Sequence, residues 1–200
     1  MAQNMAVAIV MLLEAGVNFD DITRVLCGGA DLPVIPGRTE NIAGDDSPAV
    51  YLDFGHTADA FEYTLQSIRE ITEGRVITVY GADGDRYKSK RYGMGAQAAR
   101  FSDLVIVTDH HPRFEDAAEI RKQLAEGALR ERPDIELYEI TPPSDAIRLA
   151  VSRAQPGDAI VWFGPGHQGH REIRGVRTKF SAREDARAAL LEAGYSVRSA

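Results

Sequence analysis

From residue 49 onward, the hydrophobic and polar positions follow two alternating rhythms. Short apolar runs, rich in valine and isoleucine, occupy residues 50–54, 76–80, 104–107, 135–140 and 159–163. Each is bounded by glycine, proline or polar residues, the pattern of a buried strand. Between them the apolar positions return at every third or fourth residue. Phe61, Leu65 and Ile68 make one such face behind a capping Thr57. Further helices are expected over 91–101 and 117–130. Another is expected behind a capping Ser144 with Ile147, Ala150 and Val151 inward, and a last one through Leu190 and Leu191. Ser181 and Glu184 have capping-box spacing for that last helix. Residues 172–179 read as a short hairpin. Strands alternating with helices at this interval predict an α/β fold, a doubly wound, mainly parallel, Rossmann-like sheet with helices on both faces.

The first 48 residues do not share this rhythm. Ala6, Ile9, Val10 and Leu13 repeat at helical spacing up to Gly16, and are read as an ordinary buried helix. Asp20 or Asp21 is the expected cap of a second helix over 22–26. This helical pair has no strand of its own, so it is expected to be the end of a preceding domain. Residues 28–48, rich in Gly, Pro and Asp, read as the linker. The expected division is therefore 1–35 and 36–200.

Composition narrows the function. The chain has 200 residues, 44% of them hydrophobic, enough for one substantial core. Its net charge of −7 argues against general nucleic-acid binding, which normally shows a basic surface. A single cysteine, Cys27, excludes an internal disulfide and fits a reducing, cytoplasmic setting. The apolar opening is too short and interrupted to span a bilayer, so no membrane is expected.

The chemistry-bearing residues follow the strands. Asp53, His56 and Asp59 come after the first; Asp83, Asp85, Arg86 and Arg91 after the second. Asp109, His110, His111 and Arg113 follow the third, and Gly164-Pro165-Gly166-His167-Gln168 the fifth. All four loops leave carboxyl ends of strands and would converge on one crevice. Two chemistries fit. Asp83, Asp85, Asp109, His110 and His111 are metal-ligand types, and an Asp-His-His resembles DHH phosphoesterases. Alternatively Arg38, Arg86 and Arg91 neutralise phosphates or carboxylates of a nucleotide-dependent reaction.

The lettering of the loops resembles the C-terminal domain of the Mur ligases, with the end of their central domain in front. It is most similar to the branch that adds the third amino acid to UDP-N-acetylmuramoyl-dipeptide. The resemblance is carried by Pro36-Gly37-Arg38, by Asp53 to Ala60 (DFGHTADA) and by Gly84-Asp85-Arg86 with Lys90-Arg91. Thr108 to Asp116 (TDHHPRFED), Gly164 to Gln168 (GPGHQ) and Phe180 to Ala186 (FSAREDA) continue it. It implies an ATP-dependent amide-forming ligase of peptidoglycan synthesis that works through an acyl phosphate. Its partners would be UDP-N-acetylmuramoyl-dipeptide and an amino acid, expected to be a diamino acid; no nucleic acid is expected, and a monomer is.

The resemblance also implies roles. Arg38 would meet the nucleotide's outer phosphates, Asp53 the ribose, and His56 the adenine. Arg86 would serve the phosphates and the acyl phosphate, with His167 beside it as the second catalytic residue. Arg91, His111, Arg113, Gly164 and Gln168 would hold the incoming amino acid. No Gly-x-x-Gly-Lys-Thr/Ser phosphate loop is present. The chain therefore reads as a fragment, with the Mg²⁺ ligands expected upstream and no metal residue assigned here. Two loops depart from the family's diaminopimelate-specific pattern. His110-His111-Pro112-Arg113 stands where that branch has Asp-Asn-Pro-Arg, and Gly164-Pro165-Gly166-His167-Gln168 where it has Gly-Lys-Gly-His-Glu. Folylpolyglutamate synthetase, of the same superfamily, is the other ligase reading.

Overall fold

The computed structural model describes residues 2–28 and 35–198. The chain forms two compact units, Met1–Val34 and Ile35–Ala200. Part of the expected linker, residues 29–34, lies outside the described residues.

The first unit holds α1 (Ala2–Glu14) and α2 (Phe19–Cys27). Asn18, rather than Asp20 or Asp21, caps α2: its Oδ1 accepts the Asp20 N–H at 2.8 Å. The two aspartates lie in the first turn, where the helix dipole favours negative charge. The expectation of a buried first helix is also corrected, since Val10 is 57% and Met11 68% exposed. Two helices of 13 and 9 residues are too small to enclose each other's apolar faces. A groove of about 270 Å³ runs between them, lined by Met5, Ile9, Leu12 and Val25 among others.

The second unit is a three-layer sandwich. Five parallel strands, β2 (Ala49–Asp53), β3 (Val76–Tyr80), β4 (Leu104–Val107), β5 (Glu136–Glu139) and β6 (Ala159–Phe163), lie in the order β2-β6-β3-β4-β5. An additional edge strand, β1 (Glu40–Asn41), pairs antiparallel to β2, Glu40 opposite Leu52. It lies in the segment read as linker, and two residues are too few to show any periodicity.

Side chains alternate across the sheet and build a core on each face. On one face Phe61, Leu65, Met94, Ile120 and Leu124 pack on Tyr80, Val105, Val161 and Phe163. They come from α3 (Ala58–Ile71), α4 (Lys90–Phe101) and α5 (Ala117–Glu131). On the other, Ile147, Val151 and Leu190 cover Ile77, Val79, Ile106 and Trp162. These come from α6 (Pro143–Arg153) and α7 (Ala182–Glu192). Each such burial contributes about 1.5–3 kcal/mol. Thr57 caps α3 and Ser181 caps α7, each accepting a backbone N–H at 3.2 Å. At α6 the expected Ser144 cap is corrected: Pro142 precedes the helix and Pro143 opens it. Proline suits that first position because its missing N–H would have had no intrahelical partner.

The connections locate the crevice. β2 and β3 exit into α3 and α4 on one face. Between them, β6 exits through a hairpin, β7 (His170–Ile173) and β8 (Val176–Lys179), to α7 on the other. Adjacent strands that leave to opposite faces open a gap at their carboxyl ends.

The loops entering α4 and α5 are drawn together by the helices behind them. A Cβ at Gly95 would fall 2.1 Å from Leu124 O, and one at Gly127 2.3 Å from Tyr92 O. The two backbones therefore touch. Gly95→Ala should push α4 off α5 and cost about 1–3 kcal/mol, outweighing the roughly 1 kcal/mol that alanine gains in helix propensity. Thermal unfolding would show this as a Tm several degrees lower; an unchanged Tm would mean that the helices separate freely.

Candidate active site

The loops after β2, β3, β4 and β6 enclose a cleft of about 400 Å³. Phe54 and His56 line it from the first loop, Asp83, Arg86, Tyr87 and Lys90 from the second. His110 and Arg113 come from the third, Gly164 and Gln168 from the fourth.

The second and third loops are joined by an ion pair between a buried arginine and a partly exposed glutamate. Arg91, in the first turn of α4, is 0% exposed. Its Nη1 and Nη2 donate to the Glu115 carboxylate at 3.1 and 3.0 Å, to Gln123 Oε1 at 2.9 Å and to Asp83 O at 3.0 Å. Glu115 also accepts the Asp85 N–H at 2.6 Å and pairs with Lys88 at 3.2 Å. Its hydrogen bonds with Arg91, foremost among the causes, outweigh desolvation and hold its carboxyl at about 2. The expectation that Arg91 binds an amino-acid carboxylate is thus corrected. Its guanidinium is spent on protein partners and lies away from the cleft surface.

Arg113 sits at φ +51°, unusual for a side chain with a Cβ. The hairpin holds it there: Arg113 N donates to Glu172 O at 3.2 Å, and Arg174 N donates to Arg113 O at 2.7 Å. Its side chain reaches Gly84 O at 3.1 Å and Asp83 Oδ2 at 3.4 Å. Asp83 Oδ1 accepts from His110 Nδ1 at 2.6 Å. Burial works to raise the Asp83 carboxyl, but the hydrogen bond and charge of His110, with Arg113 beside them, hold it down to about 2. Lys90 is pushed below its usual value, first by burial and then by the surrounding arginines.

Asp83, His110 and His111 offer ligand atoms within 4.8 Å of one another. Their fit to a cation is poor. Both Asp83 oxygens are engaged, both His111 nitrogens are hydrogen-bonded, and the Arg113 guanidinium abuts the group. Asp109, the first residue of the DHH-like stretch, is drawn elsewhere. It pairs with Arg121 and accepts from Thr141 Oγ1 at 2.7 Å. The phosphoesterase reading finds no support in this geometry. Mg²⁺ prefers several oxygen ligands in an octahedron, and the carboxylate of the group, Asp83, has both oxygens already engaged.

A second corner forms around Phe54. Arg38 Cζ lies 4.6 Å from its ring centre, a cation–π contact, with His56 edge-on at 5.3 Å and His167 at 6.4 Å. Asp53, 7% exposed, fixes this corner rather than opening onto it. It accepts from Thr39 N at 2.8 Å, Thr39 Oγ1 at 3.1 Å and Gly55 N at 2.6 Å. The Arg38 segment is pressed directly on the fourth loop. At Gly37, with φ +68°, a Cβ would fall 2.3 Å from His167 N.

The structure therefore gathers His56, Arg86, Arg113, Gly164 and Gln168 at the cleft, with Arg38 and His167 around Phe54. It places Arg91 and His111 behind that surface. Sequence reasoning missed Phe54, Glu115 and Glu172. Phe54 had a signal, an aromatic residue between polar turn residues; the other two are anchors whose partners lie far along the chain.

A parallel α/β domain with a cation-lined cleft at its strand ends defines an anionic-ligand-binding domain of the doubly wound class. The family described as Mur ligase, glutamate ligase domain, matches residues 37–166. A UDP-N-acetylmuramyl-tripeptide synthetase of Leifsonia xyli subsp. xyli is 50% identical over 97% of this chain and 38% of its own length. A UDP-N-acetylmuramoyl-L-alanyl-D-glutamate–2,6-diaminopimelate ligase of Geobacter metallireducens is 38% identical over 92% of this chain and 39% of its own. A solved diaminopimelate ligase of that kind superposes with TM-score 0.74 at 28% identity, covering 98% of this chain and 39% of that one. A folylpolyglutamate synthase/dihydrofolate synthase from Yersinia pestis, solved with AMPPNP and Mn ion, shares the fold alone (TM-score 0.53, 19% identity, 70% of this chain and 34% of that one). The chain belongs to the Mur ligase family, as its C-terminal domain. It spans 38% of the length of the Leifsonia relative. Among the described residues, no helix is long and apolar enough to cross a membrane.

Two predictions test the loop scaffold. Arg91→Leu takes the guanidinium from Glu115, Gln123 Oε1 and Asp83 O and leaves Glu115 only Lys88 and the Asp85 N–H, so it should destabilise the chain by about 1–3 kcal/mol in urea unfolding; a near-neutral result would contradict an anchoring role. Asp83 has a depressed folded-state value, so its stabilisation is complete above its ordinary 3.8 and is lost as pH falls toward about 2. The advantage of wild type over Asp83→Asn should therefore shrink by about 2 kcal/mol between pH 5 and pH 2.

Proposed function

We propose that this chain is the C-terminal part of a longer, cytoplasmic, ATP-dependent ligase that joins an amino acid to UDP-N-acetylmuramoyl-dipeptide, residues 1–35 ending its central domain. The observation that carries this reading is the cleft. Arg86, Lys90 and Arg113 meet at the carboxyl edge of the sheet around one carboxylate already spent on His110 and Arg113. The names of the relatives point the same way.

In this reading ATP transfers its γ-phosphoryl group to the terminal carboxylate of the dipeptide, giving an acyl phosphate and ADP. The amino group of the incoming amino acid attacks it, and phosphate leaves. The chain's own residues position the reactants and neutralise charge, the main protein contribution to such transfers. Phe54, His56, Arg38 and His167 form the nucleotide corner, Arg38 and His167 reaching its phosphates. Asp53 acts there by holding Thr39, next to Arg38. Arg86 and Lys90 neutralise the phosphoryl group as it passes to the substrate carboxylate; an anion there also relieves the crowding of cations around Lys90. Arg113 takes a carboxylate of the amino acid, held by the hairpin, with Gly164 and Gln168 opposite. The Mg²⁺ that such ligases use finds no ligand set in this cleft, so its ligands are assigned to the rest of the enzyme.

The 200-residue chain alone should neither hydrolyse ATP nor form an amide bond. In the full-length enzyme Arg113→Lys loses the planar fork and should raise the KM for the amino acid roughly ten- to a hundredfold with little change for ATP. Arg38→Ala should do the reverse. Steady-state kinetics with each substrate varied would decide, and equal effects on both KM values would overturn the division of the cleft.

A further inference from the structure

The hairpin grips the third loop at successive points. Glu172 N donates to His111 Nδ1 at 2.9 Å, Arg113 N to Glu172 O at 3.2 Å, and Arg174 N to Arg113 O at 2.7 Å. A further contact comes from a side chain. Arg171, in β7, donates from Nε to His110 O at 2.9 Å. Its Nη2 lies 3.7 Å from Asp109 Oδ2. One guanidinium thus meets the backbone of His110 and the charge of the residue before it.

Arg171 is held there against desolvation. Its side chain is 12% exposed, and burial pushes its pKa down against the pull of Asp109. Its Cζ lies 5.7 Å from the centre of the Phe180 ring, which in turn meets Trp162 of β6 edge-on at 6.1 Å. Asp109 is fixed from its other side by Arg121 of α5 and by Thr141 Oγ1 at 2.7 Å. The chain of contacts therefore runs from the sheet and α5 to the third loop. Neither Arg171 nor Asp109 lines the cleft, but His110 and Arg113 both do. The stretch between those two is pinned at its start by Arg171 and at its end by the backbone of the hairpin.

We propose that Arg171 is a positioning residue of this site: by holding His110 O and Asp109 it sets the third loop, and with it the place of Arg113 in the cleft. Arg171 touches no reactant and acts only through the loop. Its effect on an amino-acid substrate rests on the ligase reading; its effect on the loop does not.

The test has two arms. In the 200-residue chain, Arg171→Met keeps an apolar stem against Phe180 and removes the charged head. Amide hydrogen exchange at Arg113 and Arg174 should become several times faster, while the amides of β3 and β6 keep their rates. Arg171→Lys retains a charge for Asp109 and one donor for His110 O, so it should return the two rates most of the way. In the full-length enzyme, Arg171→Met should raise the KM for the amino acid about tenfold and leave kcat and the KM for ATP within about twofold of wild type. Arg171→Lys should recover most of that loss. Unchanged exchange at Arg113 and Arg174 overturns the proposal. So does faster exchange at every amide with a lower Tm, which would make Arg171 a support of the whole fold. Faster local exchange with an unchanged KM for the amino acid overturns the link from the loop to Arg113. Equal changes in both KM values, or a loss confined to kcat, do the same. If wild type forms no amide with any amino acid, the ligase reading fails, and the exchange rates of the chain alone decide whether Arg171 sets the loop.

Discussion

The site depends on one ion pair, the buried Arg91 with the partly exposed Glu115. Arg91 belongs to α4 and Glu115 to the loop entering α5, yet they meet in a bidentate contact that also holds Asp83 O and Asp85 N. A guanidinium at 0% exposure has given up its hydration and is stable only where its charge and most of its donors are met by protein. The arrangement of both loops satisfies that demand. Closure of α4 on α5 through Gly95 and Gly127 supplies the short span the pair needs.

With those two loops joined, the remaining charges can be left unpaired at low cost. Arg86 makes no ion pair among the described residues, and Arg113 has only a 3.4 Å contact to Asp83 and a distant Glu172. By contrast Arg91, Arg121 and Arg183 are consumed by carboxylates within the fold. The cleft is therefore attractive to anions although the whole chain carries a net charge of −7. The positive φ of Arg113 belongs to the same economy of position: two backbone hydrogen bonds from the hairpin hold a conformation that the residue alone would avoid.

The two loops that depart from the diaminopimelate-specific pattern are not independent. His111 from one and Gln168 from the other touch at 2.9 Å. A change at either position alters the hydrogen-bonding capacity offered to the other. The two departures are therefore best understood as one change in the wall of the cleft.

Much of the second unit was determined by the sequence itself. The strands at 76–80, 104–107 and 159–163 match the structure residue for residue, because a run buried on both faces is almost wholly apolar and sharply bounded. The gathering of four loops at one edge was legible for a related reason: parallel strands joined by helices leave no other place for them. What the sequence did not determine is which charged groups face the cleft. Arg86 and Arg91 are five residues apart and alike in chemistry, but only contact with Glu115, 24 residues beyond Arg91, removes one of them from the surface. The same holds for Asp109, drawn away by Arg121, and for the strand at Glu40, which exists only because β2 offers an open edge. Local pattern reports burial and periodicity. The partner of a charge or of a short edge strand is a long-range choice, made by the packed tertiary structure.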